Sequence, residues 1–286
     1  DLAPGDEVVL QLASIKDTFI GFWACVLGGF VPVPLAIPPS FAEVNGPVMK
    51  IRGACQIFDK KFILTNEKLL ADVQALPDCL DFPADLDAAD LESCLTRSPE
   101  DEETFYFADP DELAMLMLTS GSTGNSKAVQ LSHRNVISCM EAKKEHFGLS
   151  VDTVTLNWIR MDHVAGIIEG HIMPLWLGAK QLQAPSAIIT AEPFLFLQLI
   201  SDNRATFTFA PNFLFGMIND LLKKHNTIKM RQWDLSSLDV LISGGEAIVV
   251  ETAKTFLDTL SSHFQLPRHC IRPAFGMTET CAGCVY

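Results

Sequence analysis

The chain has 286 residues, 48% of them hydrophobic and 20% charged, with 35 acidic against 21 basic side chains and a formal net charge of −14. That length and apolar share suffice for a large core, in one big domain or two smaller ones. The charge and the lack of a basic stripe exclude a nucleic-acid backbone binder, and no stretch reaches the roughly 18 uninterrupted apolar residues of a membrane span.

The opening Asp1-Leu2-Ala3-Pro4-Gly5-Asp6 has neither a basic start nor an apolar signal region, and it reads as mid-domain. The expectation is a cytoplasmic protein. Residues 17–30 predict a largely buried helix, capped by Asp17 and stopped at Gly28-Gly29. Val31-Pro32-Val33-Pro34-Leu35 is extended and proline-punctuated, and Lys61 to Thr65 reads as a short buried strand. Between Asp78 and Glu112 there are 13 acidic residues against one basic residue, Arg97, so this stretch holds −12 of the −14. It predicts an acidic, solvated connector over 78–112. Residues 113–118 are the next strand.

Ser132 to Phe147 reads as a helix, opened by Ser132 and closed near Gly148. Thr153 to Trp158 is strand-like, and 164–178 is an apolar packed helix. Thr206 to Ala210 alternates as a strand does, and Pro211 begins a turn into another helix. Asp239 to Ile242 runs straight into Ser243-Gly244-Gly245-Glu246. The helix after it, around 251–264, carries Ala253, Phe256, Leu257, Leu260 and Phe264 on one face. Strands separated by helices imply an α/β fold with parallel sheets flanked by helices. Glycine-rich turns at 119–124 and 243–246 sit at strand ends, where such sheets bind ligands.

Eight cysteines in a domain of this size read as reduced thiols rather than a disulfide framework. Cys281-Ala282-Gly283-Cys284 is formally a CxxC, with His269 and Cys270 nearby. No second CxxC exists, and the spacing fits no standard zinc module.

The run from Leu118 to Lys127 (LTSGSTGNSK) carries the most chemistry. Hydroxyls, two glycines and a lysine at the end of an apolar strand present N–H groups, O–H groups and one cation to a single point, which suits a phosphate chain. Gly121 and Gly124 are separated by two residues and Lys127 lies beyond them, so this is not a Walker A loop. A flexible surface turn is the plain alternative.

LTSGSTGNSKAV resembles the phosphate-loop signature of adenylate-forming enzymes, with Asn125-Ser126 where that signature usually has a turn former such as proline. Three further segments match in order. Phe275-Gly276-Met277-Thr278-Glu279-Thr280 resembles the aromatic-Gly-x-Thr-Glu motif; the resemblance places Thr278 at the α-phosphate, Glu279 on Mg²⁺ and Phe275 near the adenine. Ser243-Gly244-Gly245-Glu246-Ala247 resembles the loop on which the adenine lies. Trp158 to Gly166 resembles the segment whose histidine, here His163, sits beside the substrate carboxylate and ATP.

The resemblance is nearest to fatty-acyl-AMP ligases and acyl-CoA synthetase-like members, through Trp158, Pro174 and Ala210-Pro211-Asn212-Phe213. Amino-acid-activating members hold the ammonium group with an aspartate. Asp162 is tempting, but counting back from Gly178 that position falls near Ala165, which implies a substrate without an α-amino group. The implied reaction is ATP-dependent activation of a fatty or other non-amino carboxylic acid to an acyl-adenylate, releasing pyrophosphate. The acyl group would then pass to a carrier-protein phosphopantetheine thiol or to CoA, with other domains of a larger chain as partners. Thr119, Ser120, Gly121, Ser122, Thr123, Gly124 and Lys127 would cradle the phosphates. Gly244, Gly245, Glu246, Gly276 and Met277 would hold the nucleotide, with Thr123 a second residue at the metal. The resemblance also implies that 1–286 is part of a large N-terminal domain, without the small C-terminal lid and its lysine, and impaired on its own. Alternatives are an amino-acid-activating domain of a peptide synthetase and a nucleotide-binding remnant without catalysis.

Overall fold

The computed structural model describes residues 2–77, 82–96, 105–120, 126–224 and 231–286. They form two compact units, Asp1–Ile137 and Ser138–Tyr286.

The first unit begins with β1 (Glu7–Gln11), α1 (Ile15–Leu27), β2 (Val31–Pro34), α2 (Gly46–Ile57), β3 (Phe62–Thr65), α3 (Glu67–Gln74), β4 (Asp87–Asp90) and α4 (Leu91–Thr96). The four strands pair in parallel in the order β2-β1-β3-β4. Pro32 and Pro34 cannot donate to a ladder, and β2 lies at the end of that order. The α1 cap is Ser14 rather than Asp17: the serine Oγ accepts the Asp17 N–H at 3.0 Å. Asp17 is in the first turn, where its carboxylate accepts from Asn66 Nδ2. The acidic stretch is more than a connector, since β4 and α4 are built from it. Ala88 and Ala89 give β4 a half-buried strand amid the charges.

A second sheet in this unit is the antiparallel pair of β5 (Leu113–Ser120) and β6 (Ser126–Ser132). β5 and β6 are thus antiparallel neighbours, where the sequence pattern implies a strand of a parallel sheet. Their register pairs Thr119 with Lys127. Leu116 and Leu118 join Val9, Val33, Ile51 and Ile63 in one core.

α5 (His133–Phe147) carries the chain past residue 137. Ser132 Oγ accepts from Asn135 N–H at its start, and Gly148 follows its end at φ +64°. Then come β7 (Val154–Asn157), a π-helical segment (Ala165–Ile172), α6 (Met173–Leu177), β8 (Lys180–Gln183), α7 (Ser186–Ala191), α8 (Pro193–Asn203), β9 (Phe207–Phe209), α9 (Asn212–Lys224), β10 (Val240–Ser243), α10 (Val250–Phe264) and β11 (Ile271–Pro273). β12 (Phe275–Met277), a 3₁₀ turn (Thr278–Thr280) and β13 (Ala282–Val285) complete the unit. Five strands pair in parallel in the order β11-β10-β9-β7-β8, while β12 and β13 are antiparallel.

The core of this unit packs Trp158, Phe196, Phe215, Phe256 and Phe264 against the sheet. Phe215 and Phe256 stack at 4.4 Å. The expected α10 face is the one that is covered: Phe256, Leu260 and Phe264 are buried, with Ala253 and Leu257 packed against the same core. The helix expected over 164–178 opens with a π turn and closes at Gly178, φ +67°. Within it Gly170 lies against the Asn157 side chain so closely that a Cβ would collide. Phenylalanines 194–215 divide between roles: Phe196 and Phe215 are core, while Phe213 is exposed.

Seven cysteines among the described residues are free thiols; Cys79 lies outside them. No described helix is long and apolar enough to cross a membrane. No described cluster of three His, Cys, Asp or Glu could hold a metal ion, and the CxxC joins no such set.

Candidate active site

The hydroxyl- and glycine-rich loop belongs to the first unit. Thr119 and Ser120 end β5, and Lys127 is an exposed residue near the start of β6. Gly121, Ser122, Thr123, Gly124 and Asn125 lie outside the described residues.

The second unit holds a pocket, partly open to solvent, beyond the carboxyl ends of β9 and β10. That is where parallel sheets place ligands. Phe209, Ile242, Gly244 and Gly245 form one wall, and His163, Val164, Ala165 and Glu169 another. Ala274, Gly276, Met277, Thr278, Ala282 and Gly283 close it. The second unit thus brings together seven of the expected residues: His163, Gly244, Gly245, Gly276, Met277, Thr278 and, beside Thr278 in the same turn, Glu279.

Backbone approach is close here. A Cβ on Gly244 would collide with the Ala274 carbonyl, and one on Gly276 with the Ala282 carbonyl. Only glycine permits both, and each leaves a bare backbone surface at the pocket. Phe275 is 64% exposed, so its ring offers a free face.

Glu246 ends the glycine turn after β10 and has a structural partner of its own. Its Oε1 accepts the Phe213 N–H at 2.7 Å, so the carboxylate serves the first turn of α9. Asp162 is bound by Arg160 at 2.8 Å and does not line the pocket, whereas Ala165 does. Trp158 is core, its indole N–H satisfied by the Phe209 carbonyl at 2.8 Å. His163 Nδ1 accepts the Ala165 N–H at 3.2 Å, which leaves the proton of a neutral ring on Nε2.

The Thr278–Thr280 turn is tightly organised. Thr280 Oγ1 accepts the Met277 N–H, and it lies within hydrogen-bonding distance of the Met277 and Ala282 carbonyls. Cys281 and Ala282 follow at φ +54° and +84°, two successive non-glycine residues in the left-handed region. Such a pair is costly and persists only where its surroundings enforce it. Glu279 is exposed, and no hydrogen bond or ion pair engages its carboxylate among the described residues.

Two residues that the sequence reading passed over hold this region. Lys143, from α5, and Glu169, from the π-helical segment, are 3% and 4% exposed and pair at 2.6 Å. Lys143 Nζ also donates to the Cys281 carbonyl at 3.1 Å. Glu169 Oε1 accepts the Tyr286 hydroxyl at 3.2 Å and the Gly283 N–H at 3.4 Å. Burial works against the lysine charge, yet Glu169 and Cys139 together hold its ammonium above the usual lysine range. Burial, and then the adjacent Glu169 charge, push the Tyr286 hydroxyl well up, so it stays a donor. Cys139 is held low by hydrogen bonding to Cys281, with the Lys143 charge adding to it. The available signal was one carboxylate inside the apolar run Ala165–Ile172.

Parallel sheets, a glycine-lined pocket at their carboxyl ends and a Thr-Glu turn at its rim define a nucleotide-binding α/β protein. The chain belongs to the AMP-binding enzyme family, whose model matches residues 1–286. It is 38% identical over 287 residues to atromentin synthetase invA1 of Paxillus involutus, covering 99% of this chain and 29% of that protein. The chain thus spans less than a third of that relative's length.

Among solved structures it resembles McyG A-PCP complexed with phenylalanyl-adenylate, at TM-score 0.92 and 34% identity, covering 99% of this chain and 50% of that one. It also resembles the adenylation domain of a keto acid-selecting NRPS module bound to keto acyl adenylate, at TM-score 0.89 and 35% identity, covering 99% and 51%. A fatty acyl-adenylate ligase from L. pneumophila shares the fold, at TM-score 0.80 and 22% identity, covering 97% and 46%.

Proposed function

We propose that these residues form the nucleotide- and acyl-binding part of an enzyme that activates a carboxylic acid lacking an α-amino group as its acyl-adenylate, releasing pyrophosphate. Ala165 is the observation that carries the acyl reading. A small apolar residue lines the pocket where an amino-acid-activating domain would need a carboxylate. The lining carboxylate, Glu169, is already neutralised by Lys143. A substrate ammonium would be desolvated there without a partner. The keto acyl adenylate in a domain 35% identical to this chain supports the same class, which also includes fatty and aryl acids.

Features of the pocket lining support ATP as its nucleotide. Gly244 and Gly276 leave bare backbone for a flat base, and Phe275 offers it a ring face. Thr278 would donate its hydroxyl to an α-phosphate oxygen, where charge builds up as the substrate carboxylate attacks. Glu279 presents an unengaged carboxylate, the donor a hard cation takes. Mg²⁺, when bound, neutralises phosphate charge and orients the leaving group. Thr119, Ser120, Gly121, Ser122, Thr123, Gly124 and Lys127 would bind the phosphate chain, with Thr123 a second metal contact. His163, with Nε2 carrying its proton, would orient the substrate carboxylate. The acceptor would be a phosphopantetheine thiol on a carrier domain or CoA; the A-PCP pairing in a 34% identical structure supports the former. Residues 1–286 would then be part of a longer adenylation domain in a soluble, cytoplasmic multidomain synthase.

The test is pyrophosphate exchange by the intact enzyme over keto, aryl, fatty and amino acids. Exchange with one of the first three and not with amino acids is expected. No exchange with any carboxylate overturns the enzyme reading. Exchange with amino acids alone leaves the second reading, an amino-acid-activating domain, which the resemblance to the phenylalanyl-adenylate complex favours.

A further inference from the structure

Beyond leaving the pocket without a free carboxylate, the buried charge pair has no part in the chemistry assigned above, yet it touches both halves of it. Glu169 sits on the segment that lines the acyl side of the pocket, between Ala165 and Ile172. Its carboxylate and the Lys143 ammonium bind three groups on the return strand that follows Thr278 and Glu279: the Cys281 carbonyl, the Gly283 N–H and the Tyr286 hydroxyl. The Cys281 carbonyl is the critical contact. It belongs to the first of two left-handed non-glycine residues, a conformation the chain would relax from if released. Cys139 Sγ lies 3.3 Å from the same carbonyl.

We infer that Lys143 and Glu169 are positioning residues for adenylate formation: a buried clamp that pins the return strand and thereby aims Thr278 and Glu279. This rests on the reaction proposed above. The lysine ammonium supplies the donor that stabilises the strained carbonyl. The glutamate neutralises that ammonium and fixes the strand further on, at Gly283 and Tyr286. Because the glutamate is anchored in the acyl-side segment, substrate seated there and the Thr-Glu turn share one rigid support. A group that is misaimed loses interactions made only in the transition state, so the defect belongs in kcat rather than in KM.

Removing one member of a buried pair strands the other charge and risks unfolding. The test therefore uses two kinds of variant in the intact enzyme. Lys143→Met/Glu169→Gln replaces both charges at nearly equal volume, and Tyr286→Phe removes a single donor to Glu169. Each is measured by pyrophosphate exchange, by thermal melting and by amide hydrogen exchange over residues 277–284. For the double variant the expected result is kcat lower by about tenfold or more, with KM for ATP within about threefold. Amide exchange should be faster over 277–284 and unchanged in β9 and β10. Tyr286→Phe should show the same pattern more weakly, and Lys143→Arg, which keeps a buried cation, should restore most of kcat.

Wild-type kcat together with wild-type amide protection in a folded double variant would overturn the inference. So would a loss of melting temperature without change in kcat. If the wild-type enzyme exchanges no pyrophosphate, the proposed reaction fails, and amide protection alone then decides whether the clamp exists.

Discussion

Glu246 Oε1 accepts the amide hydrogen of Phe213 at 2.7 Å, which ties the glycine turn after β10 to the first turn of α9. A carboxylate committed to a helix start is favoured by that helix's dipole and satisfies one of its unpaired N–H groups. The resemblance places this residue in the adenine loop; its side chain ties that loop to α9. Glu246→Ala should therefore cost about 1 kcal/mol of stability, like the loss of other helix caps. Glu246→Gln should recover most of it. Affinity for ATP, followed by calorimetry, should change by less than about threefold. A tenfold loss of affinity at an unchanged melting temperature would return Glu246 to the nucleotide.

Gly244 and Gly276 are defined by what they exclude. Each has a neighbouring carbonyl, of Ala274 and Ala282 respectively, where its Cβ would stand. Backbone cannot swing aside as a side chain can, so Gly244→Ala and Gly276→Ala should each destabilise the fold by about 1–3 kcal/mol. Both should also weaken ATP binding, because the added methyl displaces the backbone that forms the pocket wall. Gly148→Ala is the contrast: it has open space around it but φ +64°, so it should cost stability alone. Melting curves and calorimetry on the three variants separate these outcomes.

Much of this was written in local pattern. The strand-helix alternation announces parallel sheets, and the apolar stripe on α10 is the buried one. Thr278, the Gly-Gly turn and His163 line one pocket: the first two directly follow strands, and His163 stands just before the π-helical segment. What the sequence reading lacks is β6 itself. With five residues between Ser120 and Ser126 two neighbouring strands can pair only antiparallel, but 126–132 is not read there as a strand. In the acidic stretch, β4 was hidden because two alanines between aspartates carry little strand signal; its place against β3 supplies the order. Lys143 and Glu169 were invisible for another reason. A lysine on a helix rich in polar residues reads as a solvated face, and only the fold reveals that it points inward at a carboxylate 26 positions away.

His171 should make the second unit sensitive to mild acid. It is buried at the end of the π-helical segment, with Nδ1 at 2.9 Å from Gln181 Oε1, and burial holds its pKa below the ordinary 6.5. In the folded state the ring stays neutral where the unfolded chain has already taken up a proton. Between the unfolded value and the lowered folded value, the unfolded state binds more protons, so stability falls as pH falls through that window. Above 6.5 the contribution is fully present. Melting temperature measured from pH 7.5 down to 5 should decline, and His171→Asn should flatten the upper part of that decline. An unchanged slope in the variant would assign the sensitivity to other groups.

Thr278 and Glu279 stand next to each other but should fail differently. Thr278 lines the pocket from a turn locked by Thr280, and no hydrogen bond of that turn uses its hydroxyl, so Thr278→Val should remove one donor without disturbing the fold. If that donor meets charge that develops on the α-phosphate, kcat for pyrophosphate exchange should drop about 100-fold with little change in KM, as with other preorganised donors. Glu279 is exposed and unengaged by the described residues, so Glu279→Gln should leave the melting temperature where it is. Its loss should instead appear as a higher Mg²⁺ requirement: the half-saturating metal concentration should rise, and part of the rate should return at high Mg²⁺. The turn's own geometry is the control, because Thr280→Val breaks its internal hydrogen bonds and should lower melting temperature and rate together. Equal Mg²⁺ dependence in wild type and Glu279→Gln would remove Glu279 from the metal and leave Thr278 as the functional member of the pair.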